Sequence, residues 1–205
     1  MEEAKALITE VNPSDPTGVL FHTKPITYEK LAVRIHGHEL RALVCRPGGG
    51  LAEEVRPVKT YDGFQEADTS RDLLKLVWMN GYQTMPPALA FLEGTGIKLG
   101  AVAMSCAQDS HDLVAVGATD FELELAVNAL IRAKGGIAVA CMDSVEVARR
   151  PTAPLSEPER QQALRRYAEL ERKVKQLQTP LPLLLDLLYA VGHYDVRNLS
   201  SRLFV

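Results

Sequence analysis

Between Gly100 and Met142 the chain reads GAVAMSCAQDSHDLVAVGATDFELELAVNALIRAKGGIAVACM, and no other stretch constrains the fold as strongly. Two short apolar runs rich in Ala and Val read as strands inside a sheet. Between them lies a polar loop, Gln108-Asp109-Ser110-His111-Asp112. Thr119 then stands three residues before Glu122, the spacing at which a hydroxyl caps a helix start and an acid answers it. Leu123, Ala126, Val127, Leu130 and Ile131 recur at i, i+3, i+4, i+7 and i+8, so one face of that helix packs on a sheet. Gly135 stops it, and a third strand runs through Ile137 to Met142. The polar loop is the densest cluster of functional side chains in the chain and is expected at a sheet end.

The remainder supplies more strands and then helices. Residues 1–27 carry Pro13, Pro16 and Pro25 and read as an irregular lead-in; residues 28–205 read as one domain. Leu31, Val33 and Ile35 alternate with polar residues, and Leu40 to Cys45 continues after Gly37, so two strands joined by a turn are predicted. Val55 to Thr60 and Leu73 to Met79 suggest further strands, with a turn at Asp62-Gly63. Pro86-Pro87 is predicted to open a helix over Ala88 to Leu92. A long helix starts at Ser156 and runs to about Gln178; its Ala163, Tyr167, Leu170, Val174 and Leu177 form either a surface face packed on its own domain or a seam for a partner helix. A last helix spans Leu183 to Val191, and the apolar ending Leu203-Phe204-Val205 is expected to dock. This order predicts an α+β class: layered mixed β-sheets covered by helices, with the C-terminal part helical.

Composition removes several function classes. A net charge of -3 and a pI near 6.0 give no basic field for nucleic acid. No apolar run approaches the ~20 residues of a membrane span, and the acidic N-terminus lacks the order of a signal peptide. Cys45, Cys106 and Cys141 lie far apart without a CxxC pair, which fits reduced thiols and a cytoplasmic protein.

Four motifs invite chemistry, each beside a plainer reading. His36-Gly37-His38 would place two imidazoles on one strand face for a metal, or is a hairpin with surface histidines. Asp109, His111 and Asp112 could contribute to a divalent metal site that needs a further ligand, or the loop caps its own turn. Adjacent Ser110 and His111 do not suit a nucleophilic dyad. Glu93-Gly94-Thr95-Gly96 has two of the three glycines of a dinucleotide loop and reads as a turn between helix and strand. Trp78 is core or pocket wall, and His193 a helix C-cap.

The run resembles the C-terminal domain of adenine deaminases, which carries a Gly-Ala-(Ile/Val)-Ala-Ser strand, a His-Asp-Ser-His-Asn loop, an apolar strand and a helix ending in Gly-Gly. Arg46-Pro47-Gly48, Gly96-Ile97-Lys98-Leu99-Gly100 and Leu203-Phe204-Val205 extend the likeness. Gln108 replaces the family's first loop His, and Asp112 its Asn. Trp78-Met79-Asn80-Gly81-Tyr82 stands where the family has a His-His-Gly-Thr-Gly-like segment, and Arg150-Pro151-Thr152-Ala153-Pro154 where it has Pro-Leu-Pro-Ile-Ala-Gly. The resemblance implies hydrolytic deamination of adenine by a metal-bound hydroxide in an amidohydrolase barrel. Such a barrel takes ~200 residues, and the likeness already begins near residue 40. The expectation is therefore a stand-alone, non-catalytic binding or accessory module, without a cofactor of its own, serving a purine-like ligand or a separate amidohydrolase-type subunit. Gln108, Asp109, Ser110, His111 and Asp112 are its ligand- or partner-facing candidates. The alternative is a metal-dependent deaminase of adenine or a related aminopurine, with that loop at the site and His36, His38 and His111 as candidate metal ligands. A face buried against a barrel in relatives should drive homodimerisation here, through the Ala163–Leu177 seam or the last helix with the tail.

Overall fold

A computed structural model of the chain describes residues 2–10, 21–46, 50–105, 112–179 and 184–205. In chain order, helix α1 (Glu2–Thr9) is followed by strands β1 (Val33–Arg34), β2 (Glu39–Cys45), β3 (Leu51–Pro57), β4 (Thr60–Tyr61), β5 (Phe64–Gln65), β6 (Leu73–Met79), β7 (Ala88–Glu93), β8 (Ala101–Ser105) and β9 (Leu113–Gly117). Helix α2 (Asp120–Ala133), strands β10 (Gly136–Cys141) and β11 (Ser144–Arg149), and helices α3 (Glu157–Gln176), α4 (Leu184–Gly192) and α5 (Val196–Ser201) complete it. Eight strands form one sheet in the order β11-β10-β8-β9-β6-β7-β2-β3, antiparallel apart from the β2–β7 pair. A small sheet, β1-β5-β4, sits beside it. The α+β class and the layered arrangement follow from this order. No helix among the described residues is long and apolar enough to cross a membrane.

Residue size on the two sheet faces decides where the helices lie. Ala101, Ala103, Ala115, Ala138 and Ala140 share one face, and this shallow surface receives Leu123, Ala126, Val127 and Leu130 of α2. The opposite face offers Val102, Met104, Val114, Val116, Ile137 and Val139 to α1, α3 and α4. Strands β6, β8, β9 and β10 are buried along their whole length, as expected of strands covered on both sides. Gly100, at φ 83°, marks a close approach: a Cβ there would overlap Leu177 Cδ2 and lie 2.6 Å from the Ala140 carbonyl oxygen.

The predicted caps are present. Thr119 Oγ1 accepts from Glu122 N at 3.2 Å, and Lys134 in a left-handed conformation with Gly135 ends α2. Ser156 N donates to Glu159 Oε2 at 2.8 Å at the start of α3. The Asp62-Gly63 turn has positive φ at both residues, as a two-residue β4–β5 hairpin requires.

Elsewhere the fold corrects the sequence reading. Ala88–Glu93 is a strand, because it is paired with β6 on one side and β2 on the other, and tertiary pairing outweighs the helix former content of Ala-Leu-Ala-Phe-Leu. Residues 2–9 are helical within the expected irregular lead-in, held by burial of Leu7 and Ile8 in the core shared with α3. β1 pairs with β5 and not with β2, so the two do not form a hairpin. Helix α5 was not anticipated; Asp195 caps it by accepting from Asn198 N at 3.0 Å. Tyr167, Leu170, Val174 and Leu177 are buried in the chain's own core, as are Leu184, Leu185, Leu188 and Val191 of α4, so the faces nominated for a partner are spent internally. The tail docks as expected: Arg41 N donates to the Leu203 carbonyl at 2.7 Å and Val205 N to that of Glu39 at 3.0 Å.

Inside β6 sits one charge. Lys75 has no exposed surface, and its Nζ lies 2.6 and 2.7 Å from the two carboxylate oxygens of Asp120 and 3.4 Å from Glu66 Oε2. Burial pushes the Asp120 carboxyl up while Lys75 draws it back. Asp120→Ala is expected to cost about 3–5 kcal/mol by stranding the ammonium, and Lys75→Met with Asp120→Leu to recover most of it, read by urea unfolding. A second pair of measurements concerns Asp68, which accepts from Ser70 Oγ and N, Lys59 Nζ and Arg71 Nε at 2.5–3.0 Å. These bonds, the Ser70 hydroxyl first, hold its carboxyl well below the usual range. The folded chain thus binds fewer protons at this site than the unfolded one, so its stabilisation is complete above the unfolded value of ~3.9 and is lost as pH falls towards the folded one. Asp68→Asn should lower stability at pH 7 and flatten its decline below about pH 4.

Candidate functional site at one sheet end

Three strand ends meet where the polar loop is attached. Met79 at the end of β6 and Ser105 at the end of β8 both pair with Leu113 at the start of β9. Asp112, half-buried, immediately precedes β9, and its Oδ1 accepts from Asn80 Nδ2 at 3.2 Å. Asn80 Oδ1 in turn accepts from Tyr82 N at 3.0 Å and Gln83 N at 2.9 Å, closing a turn over the chain leaving β6. The Gly81 carbonyl takes the backbone N–H groups of His22 and Thr23 at 2.7 and 3.2 Å. Buried Ser105 accepts from Gly136 N at 2.9 Å, fixing the α2–β10 turn beside the same end. The result is a hydrogen-bonded rim of side-chain amide, carboxylate and backbone groups at the end of an apolar core.

Of the candidates read from the sequence, Asp112 stands on this rim, while Gln108, Asp109, Ser110 and His111 lie outside the described residues. So does Cys106. Asn80, Gly81 and Tyr82 were not singled out as site residues; their Asn-Gly turn signal and their departure from the family pattern were the available clues.

The other motifs resolve into structure. His36 and His38 are exposed in a bend after β1, not on a strand, so the shared face that a two-residue spacing would give does not exist. The His36 ring meets Phe204 edge-on at 6.0 Å, and the His38 carbonyl accepts from Val58 N. Gly94 to Gly96 follow strand β7, not a helix. Asp72 Oδ1 accepts from Gly96 N at 2.8 Å, and Thr95, fully buried, gives its carbonyl to Thr179 Oγ1. The loop's polar groups are thus consumed by the protein itself. Trp78 is buried with the Arg197 guanidinium 5.4 Å from its ring centre, and His193 Nδ1 lies 2.9 Å from the Tyr189 carbonyl at the end of α4. Burial, and then Asp72 and Glu93, push the Cys45 thiol up to about 12, which makes it a poor nucleophile.

Among the described residues no group of three His, Cys, Asp or Glu is placed to hold a metal ion. The Asn80–Asp112 bond has its own test. Asn80→Asp keeps the turn acceptor but sets two carboxylates against each other. The variant should lose about 1–3 kcal/mol at pH 7 and regain most of it near pH 4, as one carboxyl protonates, in denaturation measured at both pH values.

With this geometry in view, the comparisons with known proteins are specific. The model of the adenine deaminase C-terminal domain matches residues 52–184. Adenine deaminase of Parabacteroides distasonis is 52% identical over 182 residues, which is 88% of this chain and 33% of that protein. The enzyme of Salinibacter ruber is 40% identical over 158 residues, 76% of this chain and 29% of the relative. That of Methanosarcina barkeri is 31% identical over 176 residues, 81% and 32% of the two chains. The chain therefore spans about a third of the length of the curated relatives it matches. A core whose strand–loop–strand–helix–strand run coincides with the matched segment leaves one conclusion: this chain belongs to the adenine deaminase C-terminal domain family.

Proposed function

We propose that the chain is a binding and accessory module of adenine deamination, presenting its Asn80–Asp112 sheet end to a purine-like ligand held by a separate amidohydrolase-type body. One observation carries this reading. The hydrogen bond from Asn80 to Asp112 joins the two segments at which the sequence departs from the family's His-rich pattern. Asn80 and Asp112 are themselves half-buried and adjoin the ends of two wholly buried strands. A surface of amides and one carboxylate can recognise ring nitrogens and an exocyclic amine by hydrogen bonding, whereas hydrolysis at the ring carbon also needs an activated water. The relatives are named for acting on adenine, and the two thirds of their length that this chain does not match is where we place that hydrolytic centre. The free thiols Cys45 and Cys141 fit a cytoplasmic setting.

Purified chain, incubated with adenine and added Mn²⁺, Fe²⁺ or Zn²⁺, is expected to release no ammonia. Supplied with the remaining two thirds of the Parabacteroides distasonis relative as a separate polypeptide, it should bind that body, and Asp112→Ala or Asn80→Ala should weaken the association. Robust turnover by the chain alone, abolished in His111→Ala, would establish the rival reading of a metal-dependent deaminase with residues 108–112 at its site.

A further inference from the structure

The two edges of the eight-stranded sheet are not alike. At β3 the edge carries Glu53, Glu54, Arg56 and Pro57, and its charges are engaged: Glu53 holds Arg202 and Tyr194, while Arg56 binds Glu54 and Glu93. Charges and a proline are how proteins blunt an edge. At β11 no described residue pairs with the outer side, and the strand, Ser-Val-Glu-Val-Ala-Arg, holds half-buried Val145 and Val147. A groove of about 700 Å³ runs beside it, bounded across by Leu155, Gln162, Ala163 and Arg166. Side chains from both faces of β11, Val147 and Ala148, line this groove, so it follows the strand's edge. Two of the most exposed large apolar side chains, Met142 and Phe121, stand at the near end, where Met142 N donates to Glu122 Oε1.

The backbone of β11 faces outward at alternate residues. Arg150 N donates to the Gly135 carbonyl, on the β10 side, and the register pairs Gly136 with Arg149. By the antiparallel alternation, residues 144, 146, 148 and 150 turn their N–H and C=O groups towards β10, and Val145, Val147 and Arg149 turn theirs outward.

We propose that this edge is completed by a second copy of the chain, β11 against β11 across a two-fold axis, making one continuous sheet. Charge fixes the register. Centring the axis on Ala148 sets Val147 against Arg149 of the other copy as hydrogen-bonded pairs, using the groups that face outward. It also sets Glu146 against Arg150 of the other copy, twice, as non-hydrogen-bonded pairs, whose Cα atoms are about 4.5 Å apart. The smallest side chain of the strand lies on the axis, where two copies come closest. Glu146 is half exposed and, among the described residues, makes only a long contact to Lys173, at 3.6 Å, so its carboxylate can turn to the partner. An isologous contact of this kind closes on itself and leaves as outer edges only the two β3 strands, whose charges are engaged.

Sedimentation velocity tests it with the whole chain. Wild type should sediment as a dimer at micromolar concentration. Glu146→Arg and Arg150→Glu, each confirmed as folded by circular dichroism, should weaken self-association roughly tenfold or more by facing like charges. Mixed one to one they should form a heterodimer, because both opposite-charge pairs return. Val147→Pro, which deletes an outward N–H and leaves the β10 ladder intact, should be monomeric and serves if Arg150→Glu does not fold. A monomeric wild type, a dimer indifferent to Val147→Pro, or folded variants that fail to associate on mixing would each overturn the proposal.

Discussion

An ammonium group with no exposed surface lies in one of the four wholly buried strands of the sheet, and much of the molecule is arranged around its neutralisation. Both oxygens of Asp120 lie within 2.7 Å of the Lys75 Nζ, and a buried ammonium is costly without such a partner. Asp120 is the first residue of α2, so this pairing fixes where the helix begins along the sheet. The alanine face beneath α2 fixes how close it lies. Once the helix is placed, Asn128 grips the lead-in chain through the N–H and C=O of Ile26 at 2.9 and 2.8 Å, and Lys134 Nζ reaches the Phe21 carbonyl at 2.9 Å. The lead-in then delivers His22 and Thr23 to the Gly81 carbonyl. A buried ion pair at one end of the sheet thus helps hold the candidate site at the other.

That transmission gives the rim its character. Neither Asn80 nor Asp112 belongs to a strand, yet each directly adjoins one that is wholly buried, and the bond between them spans 32 positions of sequence. Short tethers to immobile strands leave the two side chains little freedom to lose when they meet a ligand or a partner. A loop of the same composition anchored to a frayed edge would have to be ordered at the moment of binding.

The sequence made legible what local chemistry controls. The run from Gly100 to Met142 reads correctly as two strands, a capped helix and a third strand, because Thr119, Gly135 and the apolar stripe of α2 act within a few residues of themselves. The same holds for the Asp62-Gly63 turn and the start of α3. What escaped the sequence is decided across the chain. The segment Ala88 to Glu93 has the composition of a helix and becomes a strand through its two neighbours. The spacing of Tyr167, Leu170, Val174 and Leu177 is that of an apolar seam, but periodicity does not say whether the surface it meets belongs to the same molecule. His36 and His38 have a metal-like spacing that carries meaning only on a strand, and the strand ends at Arg34. At the candidate site Asp112 was legible as a polar loop residue; its partner Asn80 was not, since nothing local links the two.

The C-terminal segment shows the same long-range logic at the opposite side of the sheet. β7 covers β2 only at Leu43 and Val44, which would leave the start of β2 without a neighbour on that side. The tail fills this gap: Phe204 bridges Leu40, and the backbone bonds of Leu203 and Val205 continue the ladder. Leu203 and Phe204 then close a small core with Val33, Leu40, Leu73 and Phe91, against which the three-stranded sheet is set. Glu53 secures the approach to this segment, taking both outer nitrogens of Arg202 and the Tyr194 hydroxyl, whose proton burial and the carboxylate hold up to about 12. The last residues are therefore a structural part of the sheet, and the resemblance of Leu203-Phe204-Val205 to the family pattern has a physical reason: an apolar strand is needed at the one stretch of β2 that β7 does not reach.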